Sequence, residues 1–118
     1  MNPIRVAVLL SGGGTTLQNL LDRIADRRLA AKIVRVVSSH VEALGLMRAE
    51  VADIPTTVVE RKKCASRAEF SQRIFDACRA DGAELACMGG FLQLVEIPPD
   101  FMGRVMNIHP SLIPAFSH

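Results

Sequence analysis

The feature that most constrains this fold is an apolar strand that runs directly into a glycine-rich turn. Residues 4–10 read Ile-Arg-Val-Ala-Val-Leu-Leu, a nearly continuous apolar run typical of a parallel strand covered on both faces. Residues 11–14, Ser-Gly-Gly-Gly, break this run, and apolar residues then recur at helical spacing from Leu17 to Ile24. The chain is therefore predicted to begin with a buried strand, a tight turn and an amphipathic helix.

The same alternation of strand and helix continues along the chain. Further strands are predicted at 32–38, 56–59, 84–88 and 104–107, further helices at 41–52 and 66–80, and a helical turn at 98–101. We expect Thr15 or Thr16 to cap the first helix and Ser66 to cap the third. This order predicts one α/β domain over residues 1–118, built on a doubly wound, mostly parallel sheet. The loops after the strands should then gather at one edge, where such sheets bind ligands.

Composition excludes several functional classes. The 118 residues are 49% apolar, 22% charged and only 4% aromatic, with a net charge of +2. That balance is globular, and the scattered basic residues do not form the aromatic-interleaved patch of a nucleic-acid surface. Cys64, Cys78 and Cys87 match no zinc spacing, so we expect no metal and reduced thiols in a cytoplasmic protein. No apolar segment is long enough to span a membrane.

The glycine-rich turn is the first candidate site. A helix N-terminus offers unpaired N–H groups and the positive end of a dipole, and glycines let a ligand approach the backbone closely. Gly14, Thr15 and Thr16 are therefore candidate phosphate-binding residues. Leu17 stands where a dinucleotide fingerprint needs glycine, and no lysine follows the last glycine, so a phosphomonoester is favoured over NAD or a nucleoside triphosphate. An ordinary tight turn without a ligand remains the alternative interpretation.

A second candidate site follows the last predicted strand. Asn107 and His109 alternate at strand spacing, so both can face the same side. An amide donor and an imidazole at one edge can hold a carbonyl oxygen and exchange a proton with it as negative charge develops. A histidine with a purely structural role at the end of a strand remains the alternative.

Three motifs, in this order, carry a resemblance to a known family. They are Val-Leu-Leu-Ser-Gly-Gly-Gly-Thr-Thr-Leu-Gln at 8–18, Met-Gly-Gly-Phe-Leu at 88–92, and Asn-Ile-His-Pro-Ser-Leu-Ile-Pro at 107–114. Together they resemble the phosphoribosylglycinamide formyltransferases, and the resemblance covers essentially the whole chain. It implies a Rossmann-like formyltransferase fold. It also implies transfer of a formyl group from 10-formyltetrahydrofolate, the co-substrate, to the amine of phosphoribosylglycinamide in purine (IMP) biosynthesis.

The resemblance assigns roles to individual residues. Gly14, Thr15 and Thr16 match the loop that holds the ribonucleotide phosphate. Asn107 and His109 match two members of a catalytic trio that stabilises the oxyanion. The residues that match folate contacts are Arg67, Leu92, Gln93, Leu94, Val95 and Asn107.

Two positions and the chain end depart from the family pattern. Thr16 stands where members commonly carry asparagine, and Gln93 where some carry arginine. The third catalytic residue of the family, an aspartate, lies downstream of the last residue here, His118. We therefore expect a domain that is incomplete at its C-terminus, binds a phosphate ligand and turns over poorly. Apolar sheet surface left uncovered would favour association, for example as a homodimer.

Related activities remain open at this stage. Methionyl-tRNA formyltransferase shares the Asn-x-His motif but begins with a different first loop. Formyltetrahydrofolate deformylase is chemically closer and carries an extra domain before the first strand. A nucleotide-binding fragment without catalytic activity is the non-enzymatic alternative.

Overall fold

Strands and helices alternate along the chain, as the sequence predicts. The computed structural model describes residues 2–108. The strands are β1 (Ile4–Leu10), β2 (Ala31–Ser38), β3 (Thr56–Val58), β4 (Leu85–Met88) and β5 (Val105–Asn107). The α-helices are α1 (Thr15–Ala25), α2 (Leu44–Val51) and α3 (Arg67–Ala80), and short 3-10 turns occupy Arg61–Lys63 and Pro99–Phe101.

All strand pairs in the sheet are parallel, and the spatial order is β3-β2-β1-β4-β5. The chain moves outward from β1 through β2 to β3, and α3 then carries it back to β4 on the other side of β1. The winding direction therefore reverses between β1 and β4. In open parallel sheets this reversal leaves a crevice beyond the carboxyl ends of the two strands. The predicted doubly wound parallel sheet is confirmed, and its topology places the crevice next to the glycine-rich turn.

The two faces of the sheet bury separate apolar clusters, because successive side chains of a strand point to opposite sides. Val6, Val8 and Leu10 of β1 pack with α1 and α2 on one face. Ala7 and Leu9 pack with α3 on the other. This explains why β1 is apolar almost throughout. Among residues 2–108 no helix is long and apolar enough to cross a membrane.

The start of α1 differs from the prediction. The N-cap is Gly14, in a left-handed conformation with φ 75°, and no side chain caps the helix. The prediction of a threonine cap is therefore wrong: Thr15 and Thr16 are the first helical residues. The helix does begin at Thr15, the expected first residue, but the cap position is taken by Gly14, whose left-handed backbone would strain a residue with a Cβ. Ser66, by contrast, caps α3 as predicted, its hydroxyl accepting from the Glu69 N–H at 3.1 Å.

The second helix begins at Leu44, three residues later than predicted. Residues 38–43 form a turn instead, because local side-chain acceptors satisfy its backbone donors. The Ser38 hydroxyl accepts from the His40 N–H at 3.0 Å, and the exposed His40 ring accepts from the Glu42 N–H at 3.2 Å. This turn places Gly45 in contact with the glycine-rich loop.

Gly45 is a packing residue rather than merely a weak helix former. A Cβ added to it would lie 2.5 Å from Leu10 Cδ2 and 3.2 Å from the Cα of Gly14. A Cβ added to Gly14 would in turn lie 2.7 Å from the Cα of Gly45. Two glycines thus allow the start of α2 and the loop before α1 to touch, backbone to backbone.

We predict that Gly45→Ala destabilises the chain. In an exposed helix this change would stabilise by about 1 kcal/mol, but here the new methyl group collides with Leu10, and overpacking costs about 1–3 kcal/mol. Urea unfolding should show a lower midpoint than the wild type. The control is Gly12→Ala, where an added Cβ meets nothing within 4 Å. Equal midpoints for Gly45→Ala and the wild type would contradict the close contact.

The three cysteines are buried and unpaired. Desolvation raises the pKa of the Cys78 thiol to about 12 and that of the Cys87 thiol to about 11. Because the thiolate is the reactive form, both should be nearly inert in the native chain at pH 8. Mass spectrometry after brief iodoacetamide treatment should find these two unlabelled in buffer and alkylated in urea. Rapid native labelling of Cys78 would contradict the packing of α3 on the sheet.

Candidate functional site

The loops that follow β1 and β4 meet the end of β5 at the carboxyl edge of the sheet, as the sequence predicts for residues 2–108. The Gly89 N–H donates to the Leu9 carbonyl at 2.9 Å, which joins the loop after β4 to the end of β1. The Ile108 N–H donates to the Met88 carbonyl, also at 2.9 Å, which joins the end of β5 to β4. Backbone hydrogen bonds therefore hold the loop after β4 against the ends of β1 and β5.

A cavity of about 210 Å³ lies at the point where the sheet reverses direction. Its lining consists of the glycine-rich loop, residues 12–16, and the glycine pair 89–90. The predicted phosphate-binding residues Gly14, Thr15 and Thr16 all belong to this lining. Main-chain atoms dominate the walls, so a ligand here would be recognised largely by backbone groups.

The carbonyl groups of the glycine-rich loop are already used within the protein. The Gly12 carbonyl accepts from the Gly45 N–H at 3.0 Å, and the Gly13 carbonyl accepts from the Arg48 Nε–H at 2.7 Å. The Gly14 carbonyl accepts from the Gln18 N–H at 2.9 Å. Each donor lies on α1 or α2. The loop is thereby fixed, and the carbonyl oxygens of residues 12–14, which would repel an anion, are already hydrogen-bonded.

The N–H groups of the same loop are left without protein acceptors. Within residues 2–108, the amides of residues 13–17 form no hydrogen bond to the chain, as expected at a helix start. The dipole of α1 adds positive potential at this end. A fixed loop with occupied carbonyls and unpaired N–H groups is suited to an anion, and phosphate is a common one at helix N-termini.

The two threonines of the site differ in exposure. Thr15 is exposed at the mouth of the cavity, whereas Thr16 is only 2% exposed. Thr16 packs against the loop after β4: a Cβ on Gly89 would lie 2.6 Å from the Cβ of Thr16. Thr16 therefore holds the two loops together as well as lining the cavity, and Thr15 is the residue that can be changed without disturbing the core.

Asn107 is the last residue of β5 and is exposed. It pairs in register with Met88, the residue before the glycine pair 89–90. Its backbone therefore lies one strand away from the cavity wall. The other predicted catalytic residue, His109, lies outside the described residues. Within residues 2–108 no group of three or more histidine, cysteine, aspartate or glutamate side chains could hold a metal ion.

The segment after β4 contains the predicted folate contacts Leu92, Gln93, Leu94 and Val95. Leu92 and Leu94 are 83% and 70% exposed, so the segment presents two apolar side chains to solvent. Val95 turns inward against the cluster around α3. Gln93 faces a separate polar cavity of about 340 Å³, shared with Ser39, His40 and residues 60–62.

Arg67, the remaining predicted folate contact, is the first residue of α3 and is exposed. Two contacts bring the segment after β4 to the same end of α3. The Phe91 ring stacks on Phe70 with centroids 6.2 Å apart, and the Ser71 hydroxyl accepts from the Glu96 N–H at 2.7 Å. The structure thus holds the segment containing residues 92–95 against the half of α3 that begins with Arg67, and the Leu92 N–H donates to Ser11 at the start of the glycine-rich loop.

Sequence reasoning missed several polar residues that hold the site. Arg48 fixes the Gly13 carbonyl from α2. Ser11, Ser39 and Ser71 hold loops through their hydroxyl groups. Ser71 could have been suspected, because it lies beside the apolar stripe of α3 that contains Phe70, and a hydroxyl there needs a partner. Arg48 looked like an ordinary exposed helix residue and gave no such signal.

Comparisons with known proteins agree with this geometry. The sequence profile of the family described as "Formyl transferase" matches residues 4–117. The chain belongs to the formyl transferase family. It is 39% identical over 117 residues to the trifunctional purine biosynthetic protein adenosine-3 of Gallus gallus, covering 98% of this chain and 12% of that protein. It is 35% identical over 115 residues to phosphoribosylglycinamide formyltransferase of Haemophilus influenzae, covering 96% of this chain and 54% of that enzyme.

Solved structures of the same family share the fold. The glycinamide ribonucleotide transformylase 1 of Symbiobacterium toebii superposes with a TM-score of 0.83 at 36% identity, covering 97% of this chain and 55% of that one. The phosphoribosylglycinamide formyltransferase of Brucella melitensis gives 0.84 at 36% identity, covering 99% and 62%. The family resemblance read from the motifs is confirmed. The chain spans little more than half the length of these structures.

We predict that Thr15→Glu separates ligand binding from stability. An acid in the first helical turn stabilises a helix by about 0.3–1 kcal/mol, but the same carboxylate repels a phosphate at the cavity mouth. Ribose 5-phosphate should raise the melting temperature of the wild type and leave that of the variant unchanged. The control Ala68→Glu adds the same charge to the first turn of α3 and should keep the response. An unchanged response in Thr15→Glu would exclude the glycine-rich loop as the anion site.

Proposed function

We propose that this chain is the phosphoribosylglycinamide-binding part of a phosphoribosylglycinamide formyltransferase, acting in purine biosynthesis. The observation that carries the proposal is the loop at residues 12–16, which lines the cavity: its carbonyls at 12–14 are occupied, and the amides of residues 13–17 have no acceptor among residues 2–108. The family membership and the names of the matched relatives support the same activity.

The glycine-rich loop would hold the phosphate of the ribonucleotide. Gly14, Thr15 and Thr16 line the cavity, and the backbone amides supply donors that need no side chain to move. A loop fixed in advance by α1 and α2 loses little conformational entropy when a ligand binds. The ribose and the glycinamide amine would then extend from the phosphate toward the ends of β4 and β5.

Asn107 and His109 would act on the formyl group. The amine nitrogen attacks the formyl carbon of 10-formyltetrahydrofolate, and negative charge develops on the formyl oxygen. An N–H of the Asn107 amide and the imidazole of His109 would donate to that oxygen. The bond from the carbon to the folate nitrogen then breaks, and the proton lost by the amine replaces the formyl group on that nitrogen.

Residues 92–95 and Arg67 would bind the folate co-substrate. Leu92 and Leu94 expose apolar surface of the kind that covers an aromatic ring system, and Arg67 offers a cation at the same end of α3. Phosphoribosylglycinamide and the formyl-folate would then lie on opposite sides of the loop after β4, with Asn107 near the reacting amine and formyl group.

Calorimetric titration with glycinamide ribonucleotide tests the proposal directly. We expect saturable binding at one site per chain, with at least tenfold weaker binding in Thr15→Glu. The control Asn107→Ala should bind normally, because this exposed side chain lies one strand away from the phosphate cavity. A folded chain that does not bind the ribonucleotide would overturn the proposal.

We predict that Asn107→Ala acts on turnover rather than on binding. Loss of one oxyanion donor lowers kcat by about 10²–10³, and kcat measured with both substrates should fall by that factor while KM for the ribonucleotide changes little. The folding stability should match that of the wild type because the side chain is exposed. A kcat equal to that of the wild type would remove Asn107 from the reaction.

A further inference from the structure

The segment that follows β4 is fixed by two serine hydroxyl groups. Residues 91–96 have no regular secondary structure, and within the described chain their backbone forms two hydrogen bonds to the rest of the protein. The Leu92 N–H donates to Ser11 Oγ at 2.9 Å. The Glu96 N–H donates to Ser71 Oγ at 2.7 Å. A serine thus holds each end of the segment.

The two serines belong to different parts of the fold. Ser71 is 4% exposed in the first half of α3, so a packed helix fixes the position of its hydroxyl group. Ser11 begins the glycine-rich loop, directly before Gly12, whose carbonyl accepts from Gly45 on α2. The position of Ser11 therefore follows that of the loop, whereas the position of Ser71 does not.

Ser11 is also joined to the end of β2. Its hydroxyl lies 2.5 Å from Ser39 Oγ, and Ser39 is itself buried, with its N–H donating to the Leu10 carbonyl at 3.0 Å. The Ser11 oxygen accepts from the Leu92 N–H. The bond to Ser39 holds the Ser11 side chain in the rotamer that directs this oxygen toward Leu92. The Ser11 hydroxyl group therefore links the residues that follow β1, β2 and β4.

We propose that Ser11 is a positioning residue that couples the glycine-rich loop to residues 92–95. Gly12 and Gly13, which follow Ser11, are exposed, and their amides have no acceptor among residues 2–108. A phosphate that binds the loop amides restrains the residual motion of this stretch, and a more tightly held Ser11 keeps Leu92 in place for a second ligand. By thermodynamic linkage, each ligand then increases the affinity for the other by the same factor. Naming the ligands as glycinamide ribonucleotide and formyl-folate rests on the proposed function. Ser71 holds the far end of the segment without taking part in the coupling.

The chain offers a matched pair of variants. Ser11→Ala and Ser71→Ala each remove one hydroxyl acceptor from the same segment, but only Ser11 belongs to the glycine-rich loop. Ser11→Thr keeps the hydroxyl and serves as the conservative rescue. If Ser11 had a purely structural role, the two alanine variants would behave alike. A difference between them therefore separates coupling between the two ligand sites from a simple loss of order in the segment.

Hydrogen exchange at the amides of Leu92 and Glu96 gives the first readout. Saturating glycinamide ribonucleotide should slow exchange at Leu92 in the wild type, in Ser71→Ala and in Ser11→Thr. In Ser11→Ala the ribonucleotide should still bind while Leu92 exchange stays unchanged. Slowed exchange at Leu92 in Ser11→Ala, or none in the wild type with ligand bound, would overturn the coupling.

Affinity for a non-reactive folate analogue gives the second readout. Saturating ribonucleotide should tighten analogue binding about fivefold in the wild type, the lower end of typical coupling. Ser71→Ala should bind the analogue more weakly but keep this factor, and Ser11→Ala should lose it. If both ligands bind the wild type independently, the coupling is wrong and the proposed function stands. If the ribonucleotide does not bind at all, both fail.

Discussion

The backbone contact between Gly14 and Gly45 is the constraint on which the rest of the site depends. It brings the start of α2 against the loop before α1, closer than any side chain would allow. At that distance Gly45 and Arg48 reach the loop carbonyls. The loop is then fixed beside the cavity with N–H groups that have no acceptor among residues 2–108, and a feature that would otherwise be an ordinary turn becomes suited to an anion.

The sheet topology explains why the glycine-rich loop lies beside the other candidate residues. Because β4 returns to the other side of β1, the loops after these strands diverge and leave a crevice between them. Gly89 allows the loop after β4 to approach Thr16, and β5 places Asn107 one strand further along. The fold thus brings a fixed loop with unused amides, an apolar segment and a polar side-chain amide to one edge of the described chain, although they are separated in sequence.

Much of this arrangement could be predicted from the sequence, because strand burial, glycine punctuation and the order of elements are local signals. The apolar run of β1 and the Ser66 cap needed no tertiary information. The capping residue of α1 could not be predicted from capping preferences, since Gly14 is left-handed and packs against Gly45 of α2. The start of α2 was missed for a local reason: hydrogen bonds from the His40 and Glu42 N–H groups to the Ser38 and His40 side chains outweigh the apolar pattern at 41–43. The roles of Arg48 and Ser11 arise from contacts between residues far apart in sequence, which a spacing pattern does not encode.

The central claim is that the backbone amides at the start of α1 recognise a phosphate. Amide chemical shifts recorded while glycinamide ribonucleotide is added to the chain test this claim most directly. If the loop binds the phosphate, we expect the largest amide shift changes at residues 13–17, all saturating at the same ligand concentration, with smaller changes at Leu92. Saturating shifts centred elsewhere, for instance around Ser39, His40 and residues 60–62, would contradict it and move the ligand to the other cavity.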